Sequence, residues 1–259
     1  MIALFINGWD SSPAFFHDLV RSIDALNLRC ILVDFKFDTR DAGTTFVKMS
    51  PVARAVTIKE LLDELAIDRL GIVAFGMFGG AIARQLVQKL GIDRFKFITM
   101  LAPGPCLIDN TLRDAFWNLL PLETRSGILD MKREDLHALA QKAVDLFHDG
   151  FTPRLTRDEM LTDLLGMVDE LHVISDIQAS KQRHAFGIPV EMICGELDEV
   201  VPLELSFKTM RGFGEVQVNI IPMAGHFFPL DYPEETANCI RDFLVEKVDG
   251  ISSAKVWAV

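Results

Sequence analysis

The chain is short of cysteine, of basic residues and of long apolar runs. Its four cysteines, Cys30, Cys106, Cys194 and Cys239, are scattered over 259 residues and form no C-x-x-C pair. That spacing excludes a disulfide framework and a zinc site, and leaves the thiols as small apolar residues. Twenty-six Lys and Arg face 37 Asp and Glu, for a net charge of −11, and no basic stripe stands out. Nucleic acid and anionic membrane surfaces are therefore excluded as partners, because neutralising phosphates takes clustered positive charge. No stretch reaches the roughly 18 consecutive apolar residues of a membrane span, and Met1-Ile2-Ala3-Leu4-Phe5 lacks a basic segment before its apolar run. A cytoplasmic chain with no membrane contact is the expectation. No Gly-Lys-Ser/Thr or G-x-G-x-x-G spacing offers a phosphate loop, and neither a cofactor nor a metal is expected. What the chain has is 49% hydrophobic and 24% charged residues, enough for a sizeable core.

The apolar residues follow two alternating periods. Short β-rich runs at Ile2–Ile6, Cys30–Asp34, Gly71–Phe75, Phe97–Leu101, Val190–Cys194 and Val216–Ile221 are mostly continuous, as strands buried on both faces are. Between them, apolar residues recur at helical spacing: Phe15, Leu19, Ile23 and Leu26, then Ile58, Leu61, Leu62 and Leu65, then Leu86, Val87 and Leu90. Strand and helix in alternation predict an α/β fold, a mainly parallel twisted sheet with helices on both faces. The alternation stops after Leu101. Apolar residues at Leu136, Leu139, Ala143 and Leu146, and at Leu161, Leu164, Leu165 and Val168, predict helices. Pro103-Gly104-Pro105 and Gly187-Ile188-Pro189 punctuate the two ends of this segment. The expected organisation is a core of residues 1–105 and 187–248, a helical lid over 106–186 inserted in it, and a tail over 249–259. No internal repeat is present.

Three places could carry chemistry. Gly71 to Ala83 reads as a strand, a glycine-rich turn and a helix start, the layout of a turn that lifts one residue to its tip at strained backbone angles. Counting back from Gly79-Gly80 places Met77 at the tip; sliding by one residue places Phe78 there. Neither is a hydroxyl, thiol or carboxylate, so no ordinary covalent nucleophile stands in this turn. Taken alone the segment is equally a tight turn with no chemistry. The second place combines Gly195-Glu-Leu-Asp198, which follows a strand, with Gly225-His226-Phe227, which follows the next. A carboxylate that accepts one imidazole N–H leaves the other ring nitrogen free to take a proton. Asp198 is preferred over Glu196 and Glu199 for its place three residues after Gly195 and four before Pro202. The bland alternative is a helix-capping acid and an unrelated loop histidine. The third is Asn7-Gly8-Trp9, where a sharp turn would present the Trp9 N–H toward the tip, to join the Phe78 N–H in binding an oxyanion. Ser11 and Ser12 fit a helix start.

With these residues in place, the sequence from Ile2 to about Val245 resembles the α/β-hydrolase fold superfamily. The likeness is to its lid-bearing branch of esterases, carbon–carbon hydrolases, haloperoxidase-like proteins and hydroxynitrile lyases. Asn7-Gly8-Trp9 stands for the oxyanion loop, Phe75-Gly-Met-Phe-Gly-Gly80 for Gly-x-Ser-x-Gly-Gly, and Asp198 and His226 for the acid and base. The resemblance implies backbone oxyanion donors at Trp9 and Phe78. It also implies that the family's opening hairpin is missing or shortened here. Where the family carries its nucleophile serine this chain carries Met77, and a thioether has no proton for His226 to remove.

Two functions fit. One is a non-canonical hydrolase-fold enzyme in which a His226–Asp198 dyad acts without covalent serine catalysis on a small, largely apolar carbonyl or acyl substrate, by elimination, cyclisation or direct hydrolysis. The other is a catalytically inactive binding protein with an apolar pocket lined by Trp9, Met77, Phe78, Phe227 and Phe228. Cys106 is a candidate for a relocated nucleophile, with a packed thiol as its ordinary reading. Oligomeric state, pathway and substrate identity are not encoded legibly.

Overall fold

The structure, a computed structural model, describes residues 1–8, 12–23, 28–35, 51–104, 187–210 and 213–248. Trp9, Ser11, Leu26, Cys106, the expected lid over 106–186 and the tail over 249–259 lie outside the described residues.

Among the described residues six strands form one sheet: β1 (Ile2–Ile6), β2 (Arg29–Leu32), β3 (Leu70–Phe75), β4 (Phe95–Leu101), β5 (Val190–Gly195) and β6 (Gln217–Ile221). Their order is β2-β1-β3-β4-β5-β6, and every neighbouring pair is parallel. The crossovers carry α1 (His17–Ile23), which follows a 3-10 turn over Pro13–Phe16, then α2 (Pro51–Glu64), α3 (Gly76–Leu90) and α4 (Leu203–Met210). Two further helices, α5 (Phe228–Asp231) and α6 (Pro233–Lys247), follow β6. Ser12 caps the 3-10 turn, its Oγ accepting the Ala14 N–H at 3.2 Å. After residues 105–186 the chain rejoins the sheet at Pro189, whose carbonyl accepts the Ile98 N–H at 3.1 Å.

The strand expected over Cys30–Asp34 runs instead over Arg29–Leu32, because its partner β1 ends at Ile6 and the paired register stops at Phe5 against Leu32. All of β3 and β5 is buried, as strands covered on both faces must be. The edge strand β6 alternates, leaving Val218 and Ile220 exposed.

Alternation of side chains along the strands splits the core into two apolar layers. Ile72, Ala74, Met192 and Cys194 meet Ile58 and Leu62 of α2 and Ile82 and Leu86 of α3. On the other face Val73, Phe75, Phe97 and Ile193 meet Leu19 and Ile23 of α1 and Ile240 and Phe243 of α6. Each fully buried side chain of this size contributes about 1.5–3 kcal/mol. Helix α3 starts hard against the end of β1: a Cβ on Gly79 would lie 2.8 Å from the Ile6 carbonyl oxygen, so only glycine permits this approach. Among the described residues one acid interrupts the apolar layers of the sheet. Glu191 of β5 is fully buried, accepting from Thr99 Oγ1 at 2.9 Å and from Asn219 Nδ2 at 2.8 Å. Burial pushes its carboxyl up to about 7 against the two hydrogen bonds, and the nearby Asp242 charge adds to the rise.

Candidate active site

In a parallel sheet all strands end on the same side, so the residues that follow β1, β3, β5 and β6 converge at one rim. Asn7 and Gly8 follow β1, Gly76 follows β3, Asp198 lies beyond β5 and His226 beyond β6.

The last two are in contact. His226 Nδ1 lies 2.8 Å from Asp198 Oδ2, with the Asp198 side chain fully buried and that of His226 9% exposed. The other carboxylate oxygen, Oδ1, accepts the backbone N–H groups of Val200 at 2.9 Å and Val201 at 2.7 Å. These bonds hold the carboxylate in place and leave Oδ2 to the imidazole. An ionised carboxylate only accepts, so this contact assigns the proton to Nδ1 and leaves Nε2 as the acceptor in the neutral ring.

Two loops must be knitted together for this contact to form, a role that the sequence patterns assigned to none of the residues that perform it. The Glu196 N–H donates to the Ile221 carbonyl at 3.0 Å and the Leu197 N–H to that of Ala224 at 2.8 Å. The Glu196 carboxylate in turn accepts the Met223 N–H at 2.9 Å, where Met223 takes a left-handed φ of 59°. Gly195 makes the approach possible, since a Cβ there would lie 2.4 Å from the carbonyl oxygens of both Ala224 and Gly225. Glu196, passed over in favour of Asp198 as the acid, thus ties down the loop that carries His226.

The turn after β3 differs from expectation. The residue with left-handed backbone at the junction of β3 and α3 is Gly76, with φ +68°, one residue before Met77 and two before Phe78. Counting back from Gly79-Gly80 misplaces the tip because an additional residue, Phe78, stands between the turn and the glycine pair. A Cβ added to Gly76 would have His226 Nε2 3.9 Å away, the nearest described atom outside its chain neighbours and the backbone of its own helix. Phe78 is buried in the layer beneath α2, with the Arg54 guanidinium 4.4 Å from its ring centroid. Its side chain therefore packs in the core and does not line the site. Met77 is the first residue after the turn, and its side chain is outside what is described.

Aromatic rings surround the imidazole. Phe75 lies 5.0 Å and Phe227 5.2 Å from it, centroid to centroid, and Phe15 stacks 4.4 Å behind Phe75. Phe228, expected in the pocket, is fully buried in the core instead. Among the described residues no group of three His, Cys, Asp or Glu side chains is placed to hold a metal ion. The thiols of Cys194 and Cys239 are each pushed up to about 11, chiefly by burial, which keeps them protonated.

Residues 3–238 match the profile of the alpha/beta hydrolase family. The chain belongs to this family. Among solved structures of this fold, the chain is similar to an epoxide hydrolase from Vigna radiata, at a TM-score of 0.65 and 15% identity over 95% of this chain and 91% of that one. A bromoperoxidase from Bacillus anthracis aligns at a TM-score of 0.61 and 19% identity, over 94% of this chain and 91% of that one. A thermophilic esterase from Thermogutta terrifontis aligns at 0.59 and 17%, over 95% and 90%. In sequence, 62 residues are 32% identical to the 2-hydroxy-6-oxo-6-(2'-aminophenyl)hexa-2,4-dienoic acid hydrolase of Metapseudomonas resinovorans. That match spans 24% of this chain and 21% of the enzyme, so it concerns a local segment of each. Among the described residues of this alpha/beta hydrolase family member, no helix is long and apolar enough to cross a membrane.

Proposed function

We propose that this family member is an enzyme in which His226, oriented by Asp198, acts as a general base on a small, largely apolar carbonyl or acyl substrate without a covalent serine intermediate. The observation that carries this reading is the 2.8 Å contact between His226 Nδ1 and a buried Asp198 whose other oxygen is held by two backbone N–H groups. A carboxylate fixed in this way stabilises the imidazolium that forms when Nε2 takes a proton. General-base action contributes about 10²–10⁴-fold to a rate, enough for a working catalyst without a nucleophilic side chain. Gly76 at the turn supports the absence of a covalent step, since glycine offers nothing to acylate. The rings of Phe75 and Phe227 beside the imidazole suit an apolar substrate body. With Gly76 as the turn residue, the oxyanion donors of this reading are the backbone N–H groups of Trp9 and Met77.

The test is kinetic. The unmodified protein should release p-nitrophenol from p-nitrophenyl butyrate without a burst. His226→Ala should remove most of that rate. A His226→Ala variant with an undiminished rate would refute the proposal, and a bound ester that the unmodified protein never converts would leave the binding-protein reading in its place.

A further inference from the structure

Resting on His226 as the base, we infer that the attacking oxygen belongs to a small hydroxyl compound seated on Gly76, the terminal CH2OH of a primary alcohol where one is present and water where none is. The reaction is then direct acyl transfer from an ester to that hydroxyl. Residue 76 has the left-handed backbone that aims a substituent at the base: a Cβ there would stand 3.9 Å from His226 Nε2, the nearest described atom outside its chain neighbours and the backbone of its own helix. One bond further out, an oxygen would fall within hydrogen-bond reach of Nε2, roughly 2.6–3.2 Å. Glycine differs from serine by one CH2OH group. The seat that glycine leaves is therefore the size of water or of the end of a primary alcohol, and the atom it presents to Nε2 is a hydroxyl oxygen.

The proton and bond balance closes with no further reagent. The O–H proton passes to His226 Nε2, and the imidazolium is stabilised through Nδ1–H by Asp198 Oδ2 at 2.8 Å. The freed oxygen attacks the ester carbonyl carbon, a C–O bond forms, and the carbonyl oxygen takes the negative charge. As the carbonyl re-forms, the bond to the leaving alkoxide breaks and the imidazolium returns its proton to that oxygen. With water the products are acid and alcohol, and with an alcohol they are a new ester and an alcohol. The Phe75 and Phe227 rings at 5.0 and 5.2 Å from the imidazole give the alkyl part of the alcohol an apolar wall.

Three measurements test this. In the unmodified protein, p-nitrophenol release from p-nitrophenyl butyrate should rise in proportion to added methanol, with methyl butyrate formed to match, and Gly76→Ala should lower the methanol-dependent rate by about tenfold or more. A fluorophosphonate probe should leave the unmodified protein unlabelled and should label Gly76→Ser once per chain at position 76, with labelling lost on addition of His226→Ala. Crystals of the unmodified protein soaked in methanol should show an oxygen on His226 Nε2 over the Gly76 Cα, a result that needs no variant to fold. Methanol that alters the products without altering the rate would reveal an acyl-enzyme and overturn the inference. So would labelling of Met77→Ser in place of Gly76→Ser, a protein side chain found in the seat, or no ester turnover at any methanol concentration. If His226→Ala abolishes turnover while methanol has no effect, this inference alone fails and the general-base reading stands.

Discussion

Glu191 makes the stability of this fold depend on pH in the direction opposite to most surface acids. Its carboxyl, enclosed by β4, β5 and β6 between Thr99 and Asn219, is pushed from 4.5 up to about 7 in the folded protein. In the unfolded chain the group keeps its ordinary value, so between about pH 4.5 and 7 the folded state holds a proton that the unfolded state releases. A raised pKa therefore gives stability that is fully present below pH 4.5 and is lost as pH rises through 7. At about 1.4 kcal/mol per tenfold change in proton affinity, the loss amounts to roughly 3 kcal/mol. Glu191→Gln mimics the protonated acid: its amide oxygen can accept from Asn219, and its NH2 can donate to a Thr99 hydroxyl that has turned to accept. The variant should match the parent within about 0.5 kcal/mol at pH 5 and exceed it by about 2–3 kcal/mol at pH 8.5. Urea unfolding at a series of pH values, followed by tryptophan fluorescence and circular dichroism, measures this difference directly. A stability difference that stays constant from pH 5 to 8.5, or a Gln variant less stable at pH 8.5, would refute the reasoning.

Other perturbations act on the site and on the thiols. Gly195→Ala puts a Cβ 2.4 Å from two backbone carbonyl oxygens, so it should cost at least about 1–3 kcal/mol in urea unfolding and lower ester turnover by separating the two loops. Asp198→Asn should reduce turnover of p-nitrophenyl butyrate by about 10²–10⁴-fold with KM little changed, because the imidazole loses its anionic partner and its fixed tautomer; a change confined to KM would count against the assigned role. Cys194 and Cys239, held protonated by burial, should resist iodoacetamide at pH 8 in the folded protein and react in urea, as mass spectrometry would show.

The sheet was legible because its strands are mostly continuous apolar runs, and all six begin and end within two residues of their expected limits. Cys30–Asp34 was the harder case, since the end of β2 is set by the length of β1, which no local pattern in β2 reports. Asp198 and His226 were legible for a topological reason: each lies in the loop that follows a parallel strand, and neighbouring parallel strands deliver such loops to the same rim. Glu191 gave no signal of its depth, because a carboxylate in a strand reads as an exposed position until its hydrogen-bond partners on β4 and β6 are known.

The turn after β3 shows why a motif locates a site more reliably than it locates an atom. Gly79-Gly80 is the conspicuous feature of Phe75-Gly-Met-Phe-Gly-Gly80, and Gly79 is fixed by contact with the end of β1, where a Cβ would meet the Ile6 and Asn7 carbonyl oxygens. That constraint belongs to helix packing and says nothing about which residue turns. The turn itself falls where the backbone can take a positive φ, and in this stretch Gly76 takes it. Phe78 can then occupy the added position because its ring packs under α2 against the Arg54 guanidinium. Two glycines thus answer to two separate requirements, close packing at Gly79 and chain reversal at Gly76, and the spacing between them is what the family pattern does not fix in this chain. The consequence is chemical: with the turn at a glycine, residue 76 itself places no side-chain atom opposite His226 Nε2, and on the reading proposed above the attacking oxygen is supplied by the reactant.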